Sequence, residues 1–178
     1  MNLYFRLAWI LLRALAAPSV APGETIELRL RVLPNDLDLN GHVNNGRYLT
    51  LVDLGLATLF VRSGFLRLCL ARRWRPMGGG SIAYFRRGLT LFQAYTLRFT
   101  LVGWDEFWNY CAFEFVREGA LHAHGFVKGA VSRPGGLVPN SEIYPALGIT
   151  QPSPPLPDAL RAWIAADTLL GERARRPA

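Results

Sequence analysis

The chain has 178 residues, with 20 Lys and Arg against 13 Asp and Glu, a net charge of +7, 51% hydrophobic residues and only 19% charged ones. It is too apolar to be disordered, and no uninterrupted apolar run reaches the ~18 residues of a conventional membrane-spanning helix. Two cysteines, Cys69 and Cys111, make neither a disulfide scaffold nor a four-ligand zinc site on their own. The length suits one compact domain with extensions.

A basic balance points to an anionic partner: nucleic acid, an anionic membrane or a phosphate-bearing ligand. Lys128 is the single lysine, and the arginines are spread along the chain with short clusters at Arg72, Arg73 and Arg75, at Arg86 and Arg87, and at Arg173, Arg175 and Arg176. No nucleic-acid module accompanies them, so nucleic acid is not an expected partner.

Residues 1–17 read as a helix. Arg6 and Arg13 fall about 20° apart on it, with Asn2 close by, and leave a broad face of Tyr4, Leu7, Ala8, Leu11, Leu12 and Leu15. Such a helix can lie in a membrane interface with its arginines at the headgroups, or pack on its own domain or a partner copy. Ala14-Leu15-Ala16 also fits a signal-peptide cleavage pattern, although Arg13 interrupts the apolar region. A break over residues 17–23 follows. Ile26, Leu28, Leu30 and Val32 then alternate with Glu27, Arg29 and Arg31 as a half-buried strand.

Asn35 to Asn45 is a polar loop. From about Asn45 the period changes to that of a helix, with Tyr48, Leu51, Val52, Gly55 and Leu59 on one face and Ser63-Gly64 as a stop. Residues 65–74 suggest a short second helix, and Pro76-Met77-Gly78-Gly79-Gly80 a flexible break. Four strands are expected after it: Ser81–Phe85, Leu89–Val102, Phe107–Arg117 and Ala120–Ser132, the last two joined by a turn at Glu118-Gly119. Gln151–Pro157 is a proline-rich linker, and Asp158 can cap a last helix carrying Leu160, Trp163, Ile164 and Leu170. The expected organisation is an N-terminal amphipathic helix (1–18), a central domain (24–133) and a linker with a C-terminal helix (134–178). A strand, a long helix and then turn-linked strands make an α+β protein, an antiparallel sheet wrapped around one central helix with helical extensions at both ends. Its free edge strands invite pairing between copies.

Residues 33–48, LPNDLDLNGHVNNGRY, concentrate acids, amides, a histidine and glycines at the entrance of an apolar helix. Here the chain resembles the hotdog-fold acyl-CoA thioesterases of the 4-hydroxybenzoyl-CoA thioesterase type. Their signature is an acidic pair D-x-D, a glycine, often His-Val/Met-Asn-Asn, then a tyrosine in the helix. The match is closer to the branch typified by the thioesterase superfamily member six proteins. It rests on Val32–Leu39, His42–Leu49, Leu101-Val102-Gly103-Trp104-Asp105, and Pro155-Leu156-Pro157 followed by Trp163, and covers about residues 24–170.

The resemblance implies a hotdog fold and hydrolysis of a fatty or aromatic acyl-CoA to free acid and CoA, without a cofactor or metal. It implies that Asp38 is the nucleophile or general base and that the backbone N–H of Asn45 polarises the thioester carbonyl. The chemistry agrees: the reaction needs a carboxylate and a donor for the developing oxyanion, and a helix N-terminus offers free N–H groups and a favourable dipole. His42 is a candidate acid or orienting group, Tyr48 a candidate substrate contact, and Arg86 and Arg87 candidate partners for CoA phosphates. Asp36 reads as a turn or capping residue. Asp53 is the alternative acid, although the family's arginine three residues on is Leu56 here. His122 and His124 read as a solvated strand face rather than a metal site.

Expected partners are acyl-CoA and further copies of the chain, as a homodimer or a dimer of dimers, with membrane contact through residues 1–17. The expected location is the cytoplasm or the inner face of a membrane. A hydratase on the same scaffold fits poorly, because Asp38 and His42 are four residues apart instead of five. The alternative function is a non-catalytic, acyl-chain- or lipid-associated hotdog protein at a membrane.

Overall fold

The computed structural model describes residues 2–175, and the side chains of residues 4–172. Met1, the Asn2 side chain, the side chains of Arg173 and Arg175, and Arg176 of the cluster singled out above lie outside what is described. The elements are α1 (Asn2–Ala16), β1 (Thr25–Arg31), a 3-10 turn (Pro34–Asp36), α2 (Asn45–Arg62), α3 (Phe65–Arg72), β2 (Arg75–Phe85), β3 (Ala94–Trp104), β4 (Asn109–Arg117), β5 (Ala120–Arg133), β6 (Gly136–Leu137), α4 (Asn140–Ala146) and α5 (Asp158–Arg175). The strands form one antiparallel sheet in the order β1-β3-β4-β5-β2, with β6 paired to β5.

The sheet curls around α2, the hotdog arrangement expected. Alternation puts Tyr95, Leu97 and Phe99 of β3 and Cys111, Phe113 and Phe115 of β4 on the inner face, where they meet Leu51, Val52, Leu54 and Leu59 of α2. The helix and sheet approach closely at Gly55. A Cβ there would lie 2.7 Å from the Phe99 ring, so any side chain would push the sheet off the helix. The Asn44 side chain caps α2 by accepting the Gly46 N–H at 2.9 Å. Gly64 ends the turn after α2 in the left-handed region, at φ 76°.

The outer face of the sheet is covered by α5, whose Leu160 and Trp163 are buried with Tyr110. Asp167 of α5 pairs with Lys128, whose ammonium also lies 4.3 Å from the centre of the Trp108 ring. His124 stands opposite Glu114 and 5.6 Å from the Tyr84 ring. A register irregularity beside it turns His122 into a buried position, so the two histidines do not share a solvated face. Burial pushes the Cys69 thiol up to about 11 and the Cys111 thiol up to about 12, and both cysteines are free.

Four local expectations change. The glycine-rich segment read as a break is the first half of β2, which begins at Arg75 and pairs with β5 along its whole length, shifting register between Gly78 and Gly80. Proline is tolerated there because β2 is an edge strand. β3 starts at Ala94 rather than Leu89; Leu89 is buried, but Phe92 at φ 61° turns the chain before the ladder begins. α4 has no counterpart among the expected elements: Asn140–Ala146 forms a short helix over the sheet, with Pro145 in its last turn. Finally, α1 takes up one of its alternatives, packing on α2 through Ile10 and Ala14, but its two arginines do not form one stripe: Arg6 turns inward onto Asp36 and Arg13 is exposed. Among the described residues no single helix is long and apolar enough to cross a membrane.

Candidate active site

The segment between β1 and α2 is hydrogen-bonded on both sides. The Val43 N–H donates to the Leu89 carbonyl at 2.8 Å and the Asn44 N–H to the Asp36 carbonyl at 2.9 Å. Leu37 and His42 bridge to Val43 and Thr90, respectively. Between these anchors Asp38–His42 projects as a small turn. The Asp38 N–H donates to the His42 carbonyl at 2.8 Å, and Asp38 Oδ1 accepts the Asn40 N–H at 2.8 Å. Gly41, at φ 75°, lets the turn close. Asp38 lies in a shallow hollow with Leu37, Asn40 and Asn44. Its second carboxylate oxygen takes no hydrogen bond among the described residues.

Asn45, the first residue of α2, is exposed, and its backbone N–H has no acceptor among the described residues. A donor is thus free at the positive end of an 18-residue helix, beside the turn that carries Asp38. His42 is exposed and its ring lies over Gly88, where a Cβ would come within 2.4 Å of it. That contact brings the end of β2 to the turn. The backbone N–H groups of Arg86 and Arg87 are both fixed on the His122 carbonyl, at 2.8 and 3.1 Å, and their side chains are exposed. The turn with Asp38 and His42, the α2 N-terminus at Asn45 and the segment that carries Arg86 and Arg87 therefore lie at one end of α2.

Tyr48 stands apart. It is 2% exposed and packs on Phe115 and Phe85, with ring centres at 4.8 and 5.3 Å. Burial raises its phenol pKa, partly offset by a hydrogen bond at the Leu89 backbone. As a substrate contact it is corrected to a core residue, because one turn past Asn45 this face of the helix already looks into the sheet.

Asp36 is 1% exposed. Its carboxylate receives Arg6 in a two-pronged contact at 2.7 and 3.2 Å, Arg47 Nε at 3.3 Å and the Leu33 N–H at 2.9 Å. It is more than a turn residue: it joins α1, α2 and the loop beneath Asp38. The sequence carried no sign of the Arg6 partnership, since Arg6 and Arg13 read as one stripe.

Further along α2, a channel of about 520 Å3 opens between the helix, β2, β5 and α4. It is a volume typical of small-molecule sites. Its wall is mainly apolar, and Asp53 stands at its rim, open to solvent on one side. Partial desolvation against that wall raises the Asp53 carboxyl pKa from its ordinary value. Among the described residues no group of three or more His, Cys, Asp or Glu side chains is placed to hold a metal ion.

Residues 32–164 match the family model described as the thioesterase-like superfamily. The chain is 35% identical over 75 residues to Protein THEM6 of Xenopus laevis, an alignment taking in 42% of this chain and 36% of that one. It is 26% identical over 138 residues to Protein THEM6 of Drosophila melanogaster, covering 76% of this chain and 69% of that one. The chain thus spans little more than a third of the first of these relatives and about two thirds of the second. Among solved structures, YbaW, a probable thioesterase from Escherichia coli, superposes with a TM-score of 0.64 at 17% identity, over 68% of this chain and 96% of that one. At that identity the likeness shows the fold. Fold, signature segment and family model agree, and the chain belongs to the thioesterase-like superfamily.

Proposed function

We propose that the protein hydrolyses an acyl-CoA thioester to the free acid and CoA. The observation that carries this reading is an open carboxylate, Asp38, in the loop that leads to a free backbone donor, Asn45 N–H, at the start of a helix that continues along an apolar channel. The thioester carbonyl sits at Asn45 N–H, which stabilises the oxyanion as it forms. The Asp38 carboxylate adds to the carbonyl carbon itself or takes a proton from the water that does. The carbon–sulfur bond then breaks and CoA leaves as the thiolate; where Asp38 attacked, water cleaves the resulting mixed anhydride to free acid and carboxylate, and in either course the thiolate takes up the proton that water releases. Arg86 and Arg87, exposed and one or two residues before the Gly88 that touches His42, supply positive charge for the CoA phosphates. An acyl-CoA panel with Asp38→Asn as control tests the assignment, and wild-type turnover in that variant would refute it.

Homodimerisation fits the edge strand β2, which presents Met77, Ile82, Tyr84 and Phe85 to solvent. Light scattering in solution checks it, and a monomer at micromolar concentration rejects it.

A second reading, contact with a membrane surface at the inner leaflet, is favoured by α1. Its outward face carries Phe5 at 82% and Trp9 at 62% exposure, with Leu12 and Leu15 in line and Arg13 beside Trp9. Aromatic and aliphatic side chains flanked by arginine suit an anionic interface. Deleting the helix would also remove the Arg6 partner of Asp36. The better variant is therefore Phe5→Ser with Trp9→Ser, expected to abolish flotation with anionic vesicles. Flotation equal to wild type would reject the surface, and flotation without any thioester hydrolysis would favour a non-catalytic lipid-associated role.

A further inference from the structure

The channel differs from the polar end of α2 in what it demands of a substrate. It follows the helix from Leu49 to Ser63, about 21 Å at 1.5 Å per residue. A leaflet holds fatty chains in roughly half of the ~30 Å hydrocarbon core of a bilayer, about 15 Å, so the channel is long enough to take a long acyl chain laid along it. Leu49 lies one turn beyond Asn45, so a chain entering there has its carbonyl end at the free N–H. The polar side chains near this entry are Thr50, Asp53 and Ser81; toward the other end the wall is Phe60, Phe65 and Val131. A Cβ at Gly78 would meet nothing within 4 Å, so the glycine leaves the lumen open where β2 flanks it.

The far end is lined by α4 and the residues after it, through Ile143, Leu147 and Ile149. α4 is held firmly. Tyr144 stacks on Trp104 with ring centres 3.8 Å apart at 22°, and its hydroxyl donates to Asn109 Oδ1 at 2.5 Å. Asn140 Nδ2 donates to the carbonyls of Asp105 and Trp108 at 2.9 and 3.2 Å.

We propose that this channel binds the acyl chain lengthwise, carbonyl at the α2 N-terminus and methyl end against Ile143 and Leu147, and that α4 thereby selects long straight acyl chains over aromatic acyl groups. Each methylene drawn in from water adds to binding, whereas a single ring near the entry leaves most of the channel without contacts. The proposal rests on the acyl-CoA hydrolase reading and narrows it to a fatty substrate.

The test is hydrolysis of palmitoyl-CoA, hexanoyl-CoA and benzoyl-CoA by the full chain, together with palmitate and benzoate binding by titration calorimetry. Palmitoyl-CoA is expected to have the highest kcat/KM. Leu147→Trp, which shortens the channel, should lower the palmitoyl-to-hexanoyl ratio of kcat/KM about tenfold, the equivalent of two methylenes left in water. Ile149→Trp serves the same purpose if the first variant fails to fold. A preference for benzoyl-CoA, or an equal loss on all three substrates, overturns the proposal. If no thioester is cleaved, the hydrolase reading fails. Palmitate binding weakened by Leu147→Trp then still supports the channel assignment, and absence of palmitate binding overturns it.

Discussion

Two carboxylates, Asp36 and Asp38, lie two residues apart and meet opposite surroundings. Asp36 is sealed beneath the loop with two guanidinium groups and a backbone N–H. Asp38, on the next outward-facing turn, keeps one oxygen tied to the Asn40 N–H and the other open in a solvent-facing hollow. The same side chain is a structural joint in one place and an open carboxylate in the other. What separates them is the chain direction at Leu37, where the 3-10 turn gives way to extended backbone. A motif of two acids is therefore best read as an anchored acid that holds a free one.

Removing charge from each acid should break the comparison most clearly. Asp36→Asn leaves Arg6 and Arg47 without their carboxylate, and breaking a buried pair costs about 3 kcal/mol or more. The melting temperature is expected to fall by roughly 10 °C, with activity lost alongside because the loop is no longer anchored. A melt unchanged within a degree would show that the joint contributes nothing. Asp38→Asn should do the reverse. Asparagine can still accept the Asn40 N–H, so stability should stay within about 0.5 kcal/mol, while kcat/KM falls by about two to four orders of magnitude.

A subtler change acts on the joint from the helix side. Arg6→Met keeps the packing of α1 and removes a charged hydrogen-bonding partner from Asp36, a loss of about 2 kcal/mol by chemical denaturation. Arg47 still holds the carboxylate, so this effect should be smaller than that of Asp36→Asn. Replacing Arg86 and Arg87 together by alanine should raise KM for acyl-CoA roughly threefold to tenfold, as expected for two exposed charge contacts, with little change in kcat.

Asp53 sharpens the comparison through pH. Its carboxyl pKa is raised by burial at the channel rim, so in the folded state it holds its proton above the pH at which the unfolded chain releases it. In that window, which opens near pH 4, the native state binds more protons and stability falls as pH rises. Asp53→Asn should flatten that part of the stability–pH curve without altering the melt at lower pH. An unchanged curve would place the carboxylate in bulk-like water.

Much of the fold was legible before the structure. Alternation marked β1 and the run that holds β3, an aromatic-rich segment marked β4, the turn at Glu118-Gly119 marked the start of β5, and the change to a helical period at Asn45 marked α2 between Asn44 and Ser63-Gly64. These signals are local: the spacing of apolar residues and the chemistry of the caps. The loop with Asp38, His42 and Asn45 stood out by its density of polar groups. The glycine run was misleading, because flexibility in an isolated chain says nothing about the neighbour strand that β5 supplies.

By itself the sequence determined the α+β order of elements, the central helix and the presence of an acid-rich segment at its mouth. Those follow from periodicity and backbone preference over a few residues. Only the tertiary structure decided that Asp36 is locked by Arg6 from a helix thirty residues away, that Tyr48 belongs to the core, and that α4 lines a channel along α2. Such contacts join segments distant in the chain. Their cost or benefit depends on burial, and burial exists only once the sheet has closed around the helix.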